Sequence, residues 1–177
     1  TGAIGIQATG NTAMGSKTLY SNTIGNFNTA NGYKTLFQNF SGSNNTSNGY
    51  KALYTNFDGD KNTANGALSL YSNDRGDENT ANGYQALYAN TDGYQNTASG
   101  TSSLFSNTSG FGNTASGYNS MQANVAGFFN TANGFGSLSS NLQGSYNNAQ
   151  GYNALLSNTS GTENNATGDR ALYSNTT

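Results

Sequence analysis

NTANGYKTLFQN runs from Asn28 to Asn39, NTSNGYKALYTN from Asn45 to Asn56, and NTANGALSLYSN from Asn62 to Asn73. Numbered from its leading Asn, the motif returns at Asn11, Asn28, Asn45, Asn62, Asn79, Asn96, Asn113, Asn130, Asn147 and Asn164. The step is always seventeen residues, without insertion or deletion. Repeat position 5 is Gly from Gly15 to Gly168, and position 12 is Asn from Asn22 to Asn175. Position 15 is Gly in every complete copy, from Gly25 to Gly161. Position 9 is Leu apart from Met121, and position 3 is Ala apart from Ser47. A fixed period defines the structural unit before length does. The array is therefore 11–177, and residues 1–10 are a lead-in outside the register. The chain stops in register at ALYSNTT. This fits a window from a longer array, or a subunit whose ends neighbours cover.

Helices do not fit this pattern. The Gly columns leave at most nine residues between breaks, and each Gly costs a helix about 1 kcal/mol relative to Ala. Asn-Gly at Asn31, Asn48, Asn65, Asn82 and Asn133 is a hairpin signal in isolation. A meander would set unlike positions opposite one another and has no need of a constant period. A parallel β-solenoid needs both features, because each coil stacks on the last at about 4.8 Å and one inserted residue breaks the register. The sequence thus predicts an all-β parallel solenoid, or β-roll, of ten seventeen-residue coils, a rod about 48 Å long. Disorder is disfavoured, since a disordered chain has no use for fixed Leu and Gly columns.

Strand alternation predicts the interior. In the first strand, positions 1–4, the Ala of position 3 faces inward and positions 2 and 4 face outward. In a second strand, positions 8–12, Leu at 9 and the small residue at 11 face in, while positions 8 and 10 face out. Position 7, with Lys17, Lys34, Lys51 and Arg170, belongs to solvent. The Asn column at position 12 suits a side-chain ladder. Both Gly columns suit corners of positive φ.

Composition limits the chemistry. Charged residues make up 8 % of the chain and the net charge is −2, which argues against a nucleic-acid partner. No apolar run is long enough for a membrane span. The sequence contains 31 Asn and 24 Gly and lacks His and Cys, so the usual nucleophile–base pairs and zinc sites are missing. DGDKN from Asp58 to Asn62 starts like a calcium loop but lacks its later Gly and Glu. No catalytic residue, metal or cofactor is expected, and an enzyme is not.

The motif NTANGYQALYANTDG, Asn79 to Gly93, resembles repeats of trimeric bacterial and phage fibre proteins, tail-fibre-like or adhesin-like chains. More loosely, it is similar to the head repeats of trimeric autotransporter adhesins. The resemblance implies a left-handed roll, a homotrimer and an extracellular, cell-surface or virion-surface location.

Two functions are expected from these readings. The first is a self-assembling structural fibre or shaft, adhesive where it meets a surface glycan or receptor. Its assembly contact would be the aromatic stripe at position 10: Tyr20, Phe37, Tyr54, Tyr71, Tyr88, Phe105 and Tyr173. Soluble monomers rarely leave such a stripe bare. The alternative is an ice- or glycan-binding solenoid with a flat Thr-x-Asn face. That face would comprise Thr29, Asn31, Thr46, Asn48, Thr63, Asn65, Thr80, Asn82, Thr131 and Asn133.

Overall fold

A computed structural model describes residues 8–177. No helix occurs among them. Three-residue strands occupy positions 2–4 of every repeat: Thr12–Met14, Thr29–Asn31, Thr46–Asn48, Thr63–Asn65, Thr80–Asn82, Thr97–Ser99, Thr114–Ser116, Thr131–Asn133, Asn148–Gln150 and Asn165–Thr167. They form one 10-stranded sheet in sequence order. Every pairing is parallel and joins a residue to its equivalent in the next coil, as in Thr63↔Thr80 and Ala64↔Ala81. The chain is a parallel β-solenoid. The fixed period thus reappears as register. Residues 1–7 of the lead-in lie outside the described residues, while Thr9 and Asn26 are linked across one coil step by a bond from Thr9 N to Asn26 Oδ1, 2.8 Å.

The second expected strand is different. Only Gln38–Asn39 and Thr55–Asn56 pair as a short ladder there. Elsewhere positions 6–11 form turns. Position 7 is left-handed, with φ of 57° at Lys17 and 52° at Lys51. So is the Leu column, with φ from 47° at Leu36 to 52° at Leu87. Left-handed residues break the two-residue alternation of an extended strand. Adjacent positions 8 and 9 therefore both face inward: Thr35, Ala52, Ser69, Ala86 and Ser103 are buried alongside Leu36, Leu53, Leu70, Leu87 and Leu104. Position 11 faces outward instead, half-exposed at Thr55, Ser72 and Ala89. The expected orientations of positions 8 and 11 are thus reversed, while position 9 stands. Polar position-8 residues are tolerated because their hydroxyls reach backbone carbonyls, as Thr35 Oγ1 does to Gly49 O at 2.7 Å.

Left-handed backbone costs most residues about 1–2 kcal/mol. Here it directs backbone groups along the axis. Leu53 N donates to Ser69 O at 2.9 Å in the next coil, and Lys51 N donates to Tyr33 O at 2.9 Å in the previous one. Inter-coil hydrogen bonding through the turn segment sustains a conformation that an isolated chain would avoid.

The two Gly columns serve different purposes. Position 5 is left-handed, with φ of 124° at Gly15 and 141° at Gly83. Position 15 is not among the positive-φ residues. Its constraint is space, because a Cβ on Gly59 would lie 2.6 Å from Asn56 Oδ1, Asn73 Nδ2 and Gly76 O. The expectation of positive φ fails there because a side-chain ladder passes beside the backbone.

That ladder fills the interior. Asn56 Nδ2 donates to Asn39 Oδ1 and Asn73 Nδ2 to Asn56 Oδ1, both at 2.7 Å. Each also donates to the Gly carbonyl of its own turn, as in Asn56 Nδ2 to Gly59 O at 2.8 Å. A second buried column comes from the leading Asn. Asn45 Nδ2 donates to the same Gly59 O at 2.9 Å, and Asn62 N donates to Asn45 Oδ1 at 2.8 Å. Two Asn side chains therefore converge on one carbonyl in each coil and tie the end of the loop to both sides of the core. A core of Leu and Ala alone would be thin; two hydrogen-bonded Asn columns make up the difference.

Ser47 is the one serine in the Ala column. It is buried, and its Oγ has no hydrogen-bond partner. Ser47→Ala is expected to raise stability by about 1 kcal/mol, because an unpaired buried hydroxyl is removed without changing the fit. Urea denaturation of the variant checks this, and a loss of stability would contradict it.

Candidate interaction face

Alternation in the short strands sends positions 2 and 4 outward, and the turn segment sends positions 6, 7 and 10 outward. Two faces of different chemistry result.

On the aromatic face, Tyr20, Phe37, Tyr54, Tyr71, Tyr88 and Phe105 form one unbroken stack, with centroids 5.0–5.2 Å apart and planes within 12° of parallel. Tyr173 stands apart, because Gln122, Ser139 and Leu156 occupy position 10 between Phe105 and it. Beside this stack runs position 6, where Tyr33 and Tyr50 stack at 5.7 Å and Tyr118, Phe135 and Tyr152 stack further along. Lysines bridge the two columns. Lys34 Nζ lies 5.5 Å from the Tyr33 ring and 5.4 Å from Phe37, and Lys51 Nζ lies 5.3 Å from Tyr50 and 5.6 Å from Tyr54. The position-6 rings are the more exposed, Tyr50 at 49 %. Position-10 rings from Phe37 to Phe105 are half-buried by their neighbours. Sequence reasoning reads stacked aromatics at both position 10 and position 6 but assigns the assembly contact to position 10 alone; the Lys contacts that join the columns need the left-handed turn at position 7.

Hydrogen bonding to Tyr50, with the nearby Tyr hydroxyls, raises the Lys51 pKa above its ordinary value. The ammonium's contribution to stability is therefore present below the usual lysine range and lost as pH rises above it. At position 17, Glu78 accepts bonds from Gln95 Nε2 at 3.1 Å and Lys61 Nζ at 3.0 Å. Those contacts lower its pKa. Their benefit is present above the ordinary Glu range and lost as pH falls. All three groups are solvent-exposed, so both effects are small.

Compared with family models, curated proteins and solved structures, the chain matches none of them. Its reading rests on its own geometry and on the motif.

The polar face is the outer side of the 10-stranded sheet. Thr29, Thr46, Thr63 and Thr80 lie there in one row, beside Asn31, Asn48, Asn65 and Asn82. Asn31 Nδ2 donates to Asn48 Oδ1 at 2.8 Å, Asn48 to Asn65 at 2.7 Å and Asn65 to Asn82 at 3.0 Å. Thr131 and Asn133 belong to the same face, but Ser99 and Ser116 separate Asn133 from the ladder. The amides of this row largely satisfy one another.

A third cluster escaped sequence reasoning. Tyr94, Phe111 and Phe128 stack at position 16, with centroids 4.8 and 5.0 Å apart, and Phe129 and Tyr146 of position 17 pack against Phe128. Its signal was a run of aromatics at two loop positions in the later coils only. Among the described residues no group of acids, His or Cys could hold a metal ion, and no helix is long and apolar enough to cross a membrane.

Proposed function

We propose that this chain is a structural, self-assembling extracellular fibre or shaft, non-enzymatic, with copies of itself as its main partner. The finer form of the proposal is a left-handed roll in a homotrimer at a cell or virion surface, with adhesion to a surface glycan or receptor. One observation carries the reading. Two aromatic columns lie side by side along successive coils, and a chain with 8 % charged residues has little else to keep that stripe in water. Self-association covers it with complementary rings. The resemblance of the motif to fibre repeats points the same way.

Electron microscopy of the purified chain tests this, with filaments of uniform width expected. The variant Tyr54→Ser/Tyr71→Ser/Tyr88→Ser is expected to release monomers or abolish folding, as read by light scattering and circular dichroism. An intact filament of unchanged mass in that variant would show that the stripe is not the contact. The ice- or glycan-binding reading of the Thr-x-Asn face is favoured by the parallel sheet, which displays equivalent residues in register. It is disfavoured by the amide ladder, which occupies groups a ligand would need. Thermal hysteresis in solution would decide for it.

A further inference from the structure

We infer that the groove between positions 11 and 13 is a binding site for a linear neutral glycan, lying along the solenoid axis with about one sugar ring per coil. The groove is a cavity of about 350 Å³ lined by Ser21, Gln38 and Thr55 of position 11 and by Phe40, Phe57 and Asp74 of position 13. It is separate from both faces described above, and the inference does not depend on the fibre reading.

Its two sides differ in chemistry. Phe40 and Phe57 stack at 5.0 Å with planes 7° apart, and they remain 42 % and 49 % exposed. Where the next ring would sit, position 13 is Asp74, so the outer face of Phe57 is left without an aromatic cover. On the other side, Thr55 Oγ1 donates to Gln38 Oε1 at 3.2 Å. Among the described residues, the Gln38 Nε2 hydrogens have no partner. A sugar ring has the matching division: an apolar C–H face that packs on an aromatic ring, and hydroxyl edges that exchange hydrogen bonds with an amide, a hydroxyl or a carboxylate.

Spacing and charge narrow the ligand. Equivalent side chains repeat at about 4.8 Å along the axis, close to the length of one pyranose unit in an extended chain. An extended peptide advances about 3.3 Å per residue and would fall out of step within two coils. The lining holds one carboxylate and no Lys or Arg, and Arg75 Nε, 3.9 Å from Asp74 Oδ2, is engaged by that carboxylate, so no free cation is left there to pair with a sialylated or uronic glycan.

Affinity electrophoresis of the full chain through gels containing hydroxyethylcellulose tests the site, with cellopentaose titration giving the affinity and hyaluronan as the anionic control. Retardation by the neutral glycan alone is expected. Phe40→Ala/Phe57→Ala should weaken cellopentaose binding about tenfold or more, the scale of two aromatic contacts. Gln38→Lys, an exposed change that touches no core residue, should weaken it too, with circular dichroism reporting the fold of both variants. The inference is overturned if no neutral glycan retards the chain, if hyaluronan retards it equally, or if the folded variants bind as the parent does. Filament formation should be unchanged in Gln38→Lys, so failure here is distinguishable from failure of the fibre reading.

Discussion

Asn90→Ala is expected to lower stability by about 2–5 kcal/mol, because it opens a gap in the middle of a buried ladder. Asn90 Nδ2 donates to Asn73 Oδ1 at 2.7 Å and to Gly93 O at 2.9 Å, and its Oδ1 accepts from Asn107 Nδ2 at 2.8 Å. After truncation, Gly93 O keeps its bond from Asn79 Nδ2 at 2.8 Å, and Asn107 Nδ2 keeps Gly110 O at 3.0 Å. Asn73 Oδ1 has no other donor. The cost thus comes from one fully orphaned acceptor, one half-satisfied donor and the void itself, all buried. Urea denaturation measures the loss, and a neutral result would sink the ladder as a source of stability.

Asn90→Asp separates hydrogen bonding from volume, since it keeps the shape. Its second oxygen would face Asn73 Oδ1 and Gly93 O, both acceptors. Burial and those acceptors disfavour the charged form, so the folded-state pKa is raised. The neutral acid can donate one bond. The variant's stability should therefore be highest below the ordinary Asp pKa of about 3.9 and fall as pH rises from there, levelling off above the folded-state pKa. A cavity alone predicts no such slope.

The constant period made the parallel register legible, since nothing but coil-on-coil stacking requires Thr46 opposite Thr63. The Leu column and the position-12 Asn column were legible for the same reason. The turn segment was not. Lys17, Leu19 and their equivalents are residues for which sequence rules assume an extended or helical backbone, and local propensity gives no sign that they turn left-handed. What decides it is hydrogen bonding to neighbouring coils, a property of the stack. The error moved position 8 outward and position 11 inward, and with it hid the groove, because Gln38 and Thr55 border it only when they face out. The leading Asn was visible as a register mark, but its bond to the Gly carbonyl fourteen residues on needs the closed coil. On the candidate face, the Tyr and Phe of position 10 could be read directly. The Lys34 and Lys51 bridges to position 6 could not, since positions 6 and 7 fall between the two expected strands, where alternation gives no side-chain direction.

The invariant Gly of position 15 gives the second large effect. Gly59 lies outside the left-handed region, and for such a residue Gly→Ala ordinarily stabilises by about 0.4–1 kcal/mol through the unfolded state. Gly59→Ala is expected to do the opposite and cost about 3–5 kcal/mol. The new Cβ would sit 2.6 Å from Asn56 Oδ1, Asn73 Nδ2 and Gly76 O. None of the three can give way alone. Gly76 O is backbone and accepts from Asn62 Nδ2 at 2.7 Å and Asn73 Nδ2 at 2.8 Å. Asn56 and Asn73 are bonded to each other at 2.7 Å. Relief requires breaking the ladder or spreading two coils, and spreading two coils strains the parallel register on the opposite wall. Comparison with Gly83→Ala isolates the cause, because Gly83 has φ of 141° and suffers from backbone strain as well as contact. If Gly59→Ala proves neutral or stabilising in urea while Gly83→Ala is costly, the glycine column at position 15 is there for chain flexibility, and the ladder does not set the spacing of the coils.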